Sequence, residues 1–379
     1  MIGAALLSAS PARERREASP APTVAELVTL DELRAAAADW ADLCARSLEP
    51  NPFAEPGFLL PLLAYERPKL SFALVWRGAR LIGFAALALP RFGLGRVWMS
   101  AYAALPACAF DRDDAAPALA ALADLLVRRT RLAGIVWPFA ERGGALAHAL
   151  RGLAEAEGLP LALAGGRRRA ALKLAGAAAF DAGLNPKRRT KWSRKARKLA
   201  GKVEATAGRE GIDAFFEVER KGWKGERRTA LADDPARLAF AREALESFAR
   251  EGRLDALTLR LDGAPVAAGL VLIAGGRAFY WKTAYDEAHA DASPGVQLTL
   301  AHSRRLAEAP GLTLADSCAV EDHPMIGRVW GDALTFEDWA VGLRPGAALG
   351  VWLGLARVRA DAREGLKRWV KRALGRKKS

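Results

Sequence analysis

The first half of the chain alternates between the apolar spacing of amphipathic helices and that of short strands. Apolar residues recurring every three to four positions predict three helices, at Leu30–Arg46, Ala115–Arg129 and Gly144–Glu157. Two continuous apolar runs, Leu70–Trp76 and Leu81–Leu89, flank a turn at Arg77-Gly78 and predict a β-hairpin. A short strand is also predicted at Gly134–Trp137. Helices and strands interleaved in this way are typical of a mixed α/β unit.

The second half repeats this order of elements. Its apolar pattern predicts helices at Phe215–Trp223 and Arg237–Arg250 and then three strands, at Leu254–Leu261, Pro265–Ile273 and Ala278–Ala284. Short glycine turns between the strands predict an antiparallel meander. Aligning Gly78 on Gly263 places a hairpin turn and an apolar strand of one half over those of the other. We therefore expect a tandem duplication of class α/β (α+β), each unit a mixed, mainly antiparallel sheet flanked by helices.

A helix start with the character of an anion site follows the meander. Ser293 and Pro294 suit the N-cap and the first helical position, respectively. The backbone N–H groups of Gly295 and Val296 would then point out of the positive helix end, and Gly295 would let a ligand approach closely. An ordinary capped helix without a ligand has the same pattern, so both interpretations stay open.

The order of helix, meander, loop and glycine-containing helix start resembles the GNAT acyltransferase fold, in which the pyrophosphate of acyl-CoA lies on that helix start. Five motifs resemble more closely the CelD-like GNAT proteins of bacterial polysaccharide operons: Asn51-Pro-Phe-Ala-Glu-Pro, Gly222-Trp-Lys-Gly, Leu261-Asp-Gly-Ala-Pro-Val-Ala, Lys282-Thr-Ala-Tyr-Asp-Glu and Ser293-Pro-Gly-Val-Gln-Leu. In architecture the chain also resembles the tandem-GNAT Fem transferases, which transfer amino acids from aminoacyl-tRNA to cell-wall precursors. The resemblance implies a GNAT-like domain at 23–180 and an acyltransferase domain at 181–345. Composition without a period predicts a disordered leader at 1–22, and apolar residues at helical spacing among cations predict a basic amphipathic tail at 346–379.

The site residues follow from this resemblance and from the chemistry of acyl transfer, which needs a proton acceptor for the attacking amine and a proton donor for the leaving thiolate. The predicted catalytic residues are Asp286 as base, Tyr285 as acid and Glu219 as an alternative base. The predicted donor-binding residues are Ser293, Gly295, Val296 and Gln297. The predicted substrate-binding residues are Trp223, Lys224, Lys282 and Asp316, the last also an alternative base. Each also has an ordinary interpretation, as a cap, a loop carboxylate or a packing residue.

The net charge of +14 is concentrated in two segments. The connector Lys187–Lys202 has nine basic and no acidic residues, and Arg357–Ser379 has ten basic and two acidic ones. The connector would bind tRNA, a polyanionic glycan, anionic lipid or the CoA phosphates, or would be a solvated linker. The tail has apolar residues at helical spacing between its cations, so we expect it to dock on an anionic membrane surface, with packing on the domain as the alternative.

These observations together predict a GNAT-type N-acyltransferase that uses acetyl-CoA, or another acyl-CoA, as co-substrate. The acceptor would be an amine, such as an envelope or exopolysaccharide precursor. Three scattered cysteines and four histidines without ligand spacing predict no metal, and no apolar run is long enough to span a membrane, so we expect a cytoplasmic protein, peripheral at the inner face of the membrane. Two alternatives are a Fem-like aminoacyl-tRNA-dependent transferase and a catalytically silent subunit of polysaccharide biosynthesis. The silent subunit is suggested by Ser293-Pro-Gly-Val-Gln, which replaces the usual phosphate loop and includes a proline without an N–H group.

Overall fold

The structure is a computed structural model that describes residues 21–199, 202–206, 208–222 and 230–359. The first half contains seven strands, named in chain order β1 to β7: Thr23–Val28, Ser71–Arg77, Arg80–Ala88, Gly93–Val97, Cys108–Phe110, Leu132–Glu141 and Leu161–Lys173. Its helices, named α1 to α6, are Leu30–Ala35, Ala37–Ala45, Pro56–Glu66, Ala115–Arg129, Ala145–Ala156 and Ala177–Gly183. The predicted hairpin at Gly78 and the helices around residues 115–129 and 144–157 are confirmed. The predicted helix Leu30–Arg46 is two helices, divided at Ala36.

The second half begins with the basic connector, which forms α7 at Pro186–Leu199. The described strands that follow, β8 to β13, are Lys202–Ala205, Leu254–Leu261, Ala264–Ala274, Arg277–Tyr285, Leu314–Asp316 and Asp332–Gly342. The helices α8 to α11 are Gly208–Lys221, Pro235–Arg250, Pro294–Glu308 and Ile326–Val329, and a helix that we name α12 covers residues 348–359. Strands β9, β10 and β11 form the predicted antiparallel meander. Most of the predicted leader, at 1–20, and the tail beyond residue 359 lie outside the described residues.

One mainly antiparallel sheet runs through both halves in the order β1-β2-β3-β4-β6-β13-β7-β12-β11-β10-β9-β8, with β5 paired to β3. The two halves share a pattern, because β4 is parallel to β6 in the first and β11 is parallel to β12 in the second. The chain also passes through one helix between the two strands of each parallel pair, α4 in the first half and α10 in the second. This repetition fits the expected duplication.

The two halves are joined by a strand exchange and a shared core. Strand β13, from the end of the described second half, lies between β6 and β7 of the first half and pairs with both. A single hydrophobic cluster includes Phe58 and Phe84 from the first half and Phe215 and Phe279 from the second. The two predicted domains therefore depend on each other for their sheet and for their core.

Candidate active site

The sheet opens at the boundary between β11 and β12. These strands pair only from Arg277 to Phe279 and from Leu314 to Asp316, although β11 continues to Tyr285. Within the described part of the chain, no strand pairs with this edge of β11 beyond Phe279. A cavity of about 640 Å³ lies next to the opening and is lined by residues of β11, of the segment after β12, and of α7, α10 and α11.

The start of α10 forms one end of this cavity. Ser293 precedes the helix in a left-handed conformation, with φ 55°, and its hydroxyl makes no capping hydrogen bond. The backbone N–H groups of Val296 and Gln297 donate to the Ser293 carbonyl over 3.1 and 3.2 Å. The predicted positions of Ser293 as N-cap and Pro294 as first helical residue are confirmed, but the Ser293 hydroxyl does not cap the helix and the expectation of a free Val296 N–H is wrong. The carbonyl of an N-cap residue ordinarily accepts the first bonds of the helix, whereas the left-handed backbone of Ser293 departs from the extended conformation that is usual for a residue with a capping hydroxyl.

Gly295 lies at the cavity but is also required by its protein neighbours. A Cβ atom at this position would lie 3.0 Å from Cδ1 of Tyr285 and 3.4 Å from Sδ of Met325. The missing side chain therefore lets Tyr285 pack directly on the first turn of α10. Tyr285, Ser293, Gly295 and Val296 all line the cavity, as their predicted roles in donor binding and catalysis require.

The basic helix α7 forms a wall of the cavity. Gln297 donates from Nε2 to the carbonyl of the buried Trp192 over 3.0 Å, which fixes α7 against the start of α10. On the same side of α7, Lys195 donates from Nζ to the Ser293 hydroxyl over 2.7 Å. Lys191 lines the cavity one helical turn earlier. The sequence shows the basic run, but it does not indicate which side of α7 faces α10.

The lining of the cavity has an excess of positive charge. Lys191, Lys195, Lys282 and Arg328 all line it, together with His323. Of the described residues that line it, none is an aspartate or a glutamate. Clustered positive charges repel a cation and attract an anion, so the cavity is electrostatically suited to an anionic ligand.

The corresponding place in the first half is different. There α4 begins after Asp114, a buried carboxylate that forms an ion pair with Arg77. A carboxylate at a helix N-terminus adds a negative charge where an anionic ligand would bind, and so disfavours such a ligand. Of the two related helix starts, only that of α10 combines a cavity with cationic walls in the part of the chain that the structure describes.

The carboxylates predicted as bases lie outside the cavity lining. Asp286 accepts a hydrogen bond from the Ala288 N–H over 2.9 Å and caps the 3₁₀ turn after β11. Glu219 is buried on α8 and accepts from the Leu231 N–H over 2.7 Å. Their catalytic roles stay predictions, and Asp286 is the nearer in sequence to the cavity because it follows Tyr285.

Asp316, predicted to bind substrate, is buried beneath the cavity instead of lining it. Its carboxylate forms an ion pair with the buried Arg169 of β7 and accepts from the Cys318 N–H over 2.9 Å. Arg169 also donates from Nη1 to the Ala104 carbonyl of the first half over 2.8 Å. The pair thus connects both halves to the segment after β12, of which Ser317 and Cys318 line the cavity. No local pattern in the sequence indicates this pair, because Arg169 is 147 positions from Asp316.

Several groups that line the cavity can exchange protons. Burial, together with the neighbouring Glu287, raises the pKa of Tyr285, so its phenol is protonated at neutral pH. Burial, with a contribution from Asp316, also raises the pKa of the Cys318 thiol, which opposes formation of a nucleophilic thiolate. The Lys282 ammonium lies 5.4 Å from the ring centre of Trp281. Tyr285 is therefore in the protonated form that a general acid requires.

The remaining predictions for the site concern a segment that the structure does not describe. Trp223 and Lys224 both lie outside the described residues. Gly222, the residue before them, packs against the end of β11, because a Cβ atom there would lie 2.9 Å from the Tyr285 carbonyl oxygen. Among the described residues, no group of histidine, cysteine, aspartate or glutamate side chains is arranged to hold a metal ion. No described helix is both long and apolar enough to cross a membrane.

Comparison with known proteins finds a family match in the second half of the chain. Residues 186–322 match the family model of an acetyltransferase (GNAT) domain, and this range includes the residues of α7, α8, β11 and α10 discussed above. No curated protein matches the chain. The match lies in the second half and includes most of the residues that line the cavity, whereas His323 and Arg328 lie beyond its end.

Solved structures similar to this chain extend over both halves. The crystal structure of FemX is 14% identical, with a TM-score of 0.53, and the match covers 83% of this chain and 96% of FemX. The C-terminal domain (DUF2156) of a putative lysylphosphatidylglycerol synthetase from Agrobacterium fabrum is 13% identical, with a TM-score of 0.53 and 86% and 96% of the two chains covered. A conserved protein of unknown function from Bacteroides thetaiotaomicron is 11% identical, with a TM-score of 0.51 and 84% and 99% covered. At these identities the likeness is one of fold.

The predicted fold class is thus confirmed, as a mixed α/β structure with a large, mainly antiparallel sheet flanked by helices. The match over 186–322 also supports the predicted enzyme class, that of an acyltransferase with a GNAT domain in its second half.

Proposed function

We propose that this protein is an N-acyltransferase that takes its acyl group from an acyl-CoA, with acetyl-CoA as the first candidate. The observation that carries the proposal is the cavity between β11 and β12, whose lining is cationic and comes mostly from the range that matches the GNAT domain. CoA is a long, flexible thiol with phosphates at one end. The open strand edge of β11 would bind the flexible part of CoA, and the cations at the start of α10 would bind its phosphates.

In this proposal, catalysis depends mainly on positioning the amine and the thioester next to each other. The amine nitrogen attacks the thioester carbonyl carbon, the carbon–sulfur bond breaks, and the amide and the CoA thiol are released. Tyr285 would donate a proton to the leaving sulfur, because its raised pKa keeps it protonated. Asp286 would take the proton of the attacking nitrogen through a water molecule, since its own carboxylate caps the turn beside the cavity.

The acceptor in this proposal is an amine of an envelope or exopolysaccharide precursor. The CelD-like motifs carry that assignment. The cationic lining adds a physical consequence, because Lys282 and the other cations would lower the pKa of an amine bound among them and so favour its neutral, nucleophilic form.

Release of CoA thiol tests the proposed reaction. The purified chain is incubated with acetyl-CoA and a panel of amino sugars and other amines, and free thiol is measured. We expect release that depends on one class of amine and that falls in Asp286→Asn, while the melting temperature stays close to that of the wild type because asparagine keeps an oxygen to cap the turn. Binding of acetyl-CoA without release by any amine would instead favour the catalytically silent subunit.

A second candidate is a Fem-like transferase that uses aminoacyl-tRNA. The similarity of fold to FemX and the exposed cations of α7 favour it. Specific tRNA binding would become weaker steeply with increasing salt, because phosphate contacts release counterions. Aminoacyl transfer from charged tRNA, with no binding of acetyl-CoA, would establish this alternative.

We also propose that α12 brings the enzyme to an anionic membrane surface, at the cytoplasmic face. One side of this helix packs on the sheet through Leu349 and Leu353. Its outer side exposes Val351, Leu355 and Val358, spaced by four and three residues, with exposed fractions of 59%, 43% and 66%. This second apolar stripe lies beside exposed arginines, which suits a membrane interface.

Liposome flotation tests the role of α12. Serine replacing Val351, Leu355 and Val358 together should abolish retention on vesicles that contain anionic lipid, without lowering the melting temperature, because all three side chains are exposed. Equal retention of wild type and variant, or retention of neither, would contradict the proposal.

A further inference from the structure

The start of α10 has few backbone donors for a phosphate group. Pro294, the first residue of the helix, has no N–H group. The N–H groups of Val296 and Gln297 are both directed at the Ser293 carbonyl. Of the first four positions of the helix, this leaves the Gly295 amide. A site for two linked phosphates needs more donors than one amide supplies.

Side chains of α7 are placed where those donors are missing. The Lys195 ammonium is 2.7 Å from the Ser293 hydroxyl, directly at the helix start. Its three donors are not all used by one hydroxyl, so further donors are available to an anion beside Ser293. Lys191, one turn away on the same side of α7, and Arg328 of α11 line the same cavity. The bond from Gln297 to the Trp192 carbonyl holds this side of α7 toward α10.

We propose that Lys195 and Lys191 of α7 bind the pyrophosphate of the acyl donor and so replace the loop amides that this chain lacks. The inference rests on the proposed use of an acyl-CoA. It gives the basic connector a defined function in donor recognition. It also explains how a helix that begins with proline can form part of a phosphate site, because most of the donors come from α7 rather than from the backbone of α10.

Calorimetric titration of CoA into matched variants tests this inference. Lys195→Met and Lys191→Met keep the aliphatic stem and remove the charge. The control is Arg197→Met, which removes the same charge from an exposed residue of α7 that lies about 200° around the helix from Lys195. We expect Lys195→Met to raise the Kd for CoA about 10-fold or more, because a charge-assisted bond is lost. The Kd of the double variant should rise further, whereas the Kd of Arg197→Met should stay close to that of the wild type.

A shortened ligand identifies the group that the lysines bind. Dephospho-CoA keeps the pyrophosphate and lacks the separate 3′-phosphate. The Kd of each lysine variant should therefore rise by the same factor for CoA and for dephospho-CoA. A loss seen with CoA alone would assign the lysines to the 3′-phosphate and overturn the inference. Equal losses in Lys195→Met and Arg197→Met would reduce the effect to general electrostatics and would also overturn it.

The outcome for the wild type separates this inference from the proposed function. If the wild type binds neither CoA nor acetyl-CoA, the proposed donor is wrong and the lysines have no pyrophosphate to bind. If the wild type binds CoA and the lysine variants bind it equally well, the donor stands and the role of α7 is refuted. Melting curves of every variant show whether lost binding reflects lost folding.

Discussion

The buried pair of Arg169 and Asp316 offers the most quantitative prediction. Both side chains are at most 3% exposed, and the pair joins β7 and β12 beneath the cavity. Replacing Arg169 by methionine removes the ion pair and the bond to the Ala104 carbonyl, and leaves the Asp316 carboxylate buried without its cation. Leaving one member of a buried pair uncompensated costs about 3–5 kcal/mol.

This loss can be converted into a change of melting temperature. At about 2.1 cal/mol/K per residue, unfolding this chain of 379 residues has an entropy of about 0.8 kcal/mol/K. A loss of about 3–5 kcal/mol therefore lowers the Tm by about 4–6 °C. Differential scanning calorimetry measures this shift directly. We expect one main transition, because the two halves share a sheet and a core.

Two further variants separate an unpaired charge from the loss of a large side chain. Arg169→Met combined with Asp316→Asn removes the charge and keeps an acceptor for the Cys318 N–H, so it should recover about half of the lost Tm. Arg34→Met breaks an exposed pair with Asp31 and should shift the Tm by less than about 1 °C. A double variant less stable than Arg169→Met, or equal shifts for Arg169→Met and Arg34→Met, would refute this reasoning.

Further predictions concern the end of β11. Tyr285→Phe should lower kcat about 100-fold, with little change in the KM for acetyl-CoA, since it removes a proton donor and keeps the ring that packs on Gly295; an unchanged kcat in steady-state assays would assign Tyr285 to packing alone. Glu287→Gln should lower the pKa of Tyr285, because it removes a negative charge beside the phenol. Spectrophotometric titration follows the tyrosinate absorbance of Tyr285, which is identified by its loss in Tyr285→Phe. This absorbance should appear at lower pH in Glu287→Gln than in the wild type, and an unchanged titration would contradict the prediction. Gly222→Ala places a Cβ atom 2.9 Å from the Tyr285 carbonyl oxygen and should destabilise the fold by about 1–3 kcal/mol in chemical denaturation. The control Gly152→Ala has open space around it and should not destabilise the chain.

Local patterns in the sequence predict the meander but not the exchange of β13. The strands β9, β10 and β11 are close together in the chain and are joined by short glycine turns, so apolar runs and turn residues define their pairing. Strand β13 instead pairs with β6 and β7, which are more than 150 positions earlier in the chain. An apolar run indicates a strand but not which distant strand becomes its partner.

The candidate site also has parts that local sequence patterns predict and parts that they do not. The start of α10 and Tyr285 could be found because proline, glycine and strand-end signals mark them locally. The orientation of α7 could not, because cations surround most of this helix and only Trp192 and Leu199 are buried on it. The burial of Asp316 depends on Arg169, a distant residue whose pairing no periodicity indicates. The sequence therefore predicts a substrate-binding role for Asp316, although its carboxylate forms an ion pair in the interior.

Direct binding of acetyl-CoA is the measurement that tests the central claim most closely, because it requires no knowledge of the acceptor. Isothermal titration calorimetry is carried out on the wild type, on Gly295→Trp, which fills the cavity at the start of α10, and on Gly152→Trp, which adds the same side chain at an open position far from the site. The proposal predicts micromolar binding to the wild type and to Gly152→Trp, and none to a folded Gly295→Trp. No heat of binding to the wild type at millimolar acetyl-CoA would contradict it.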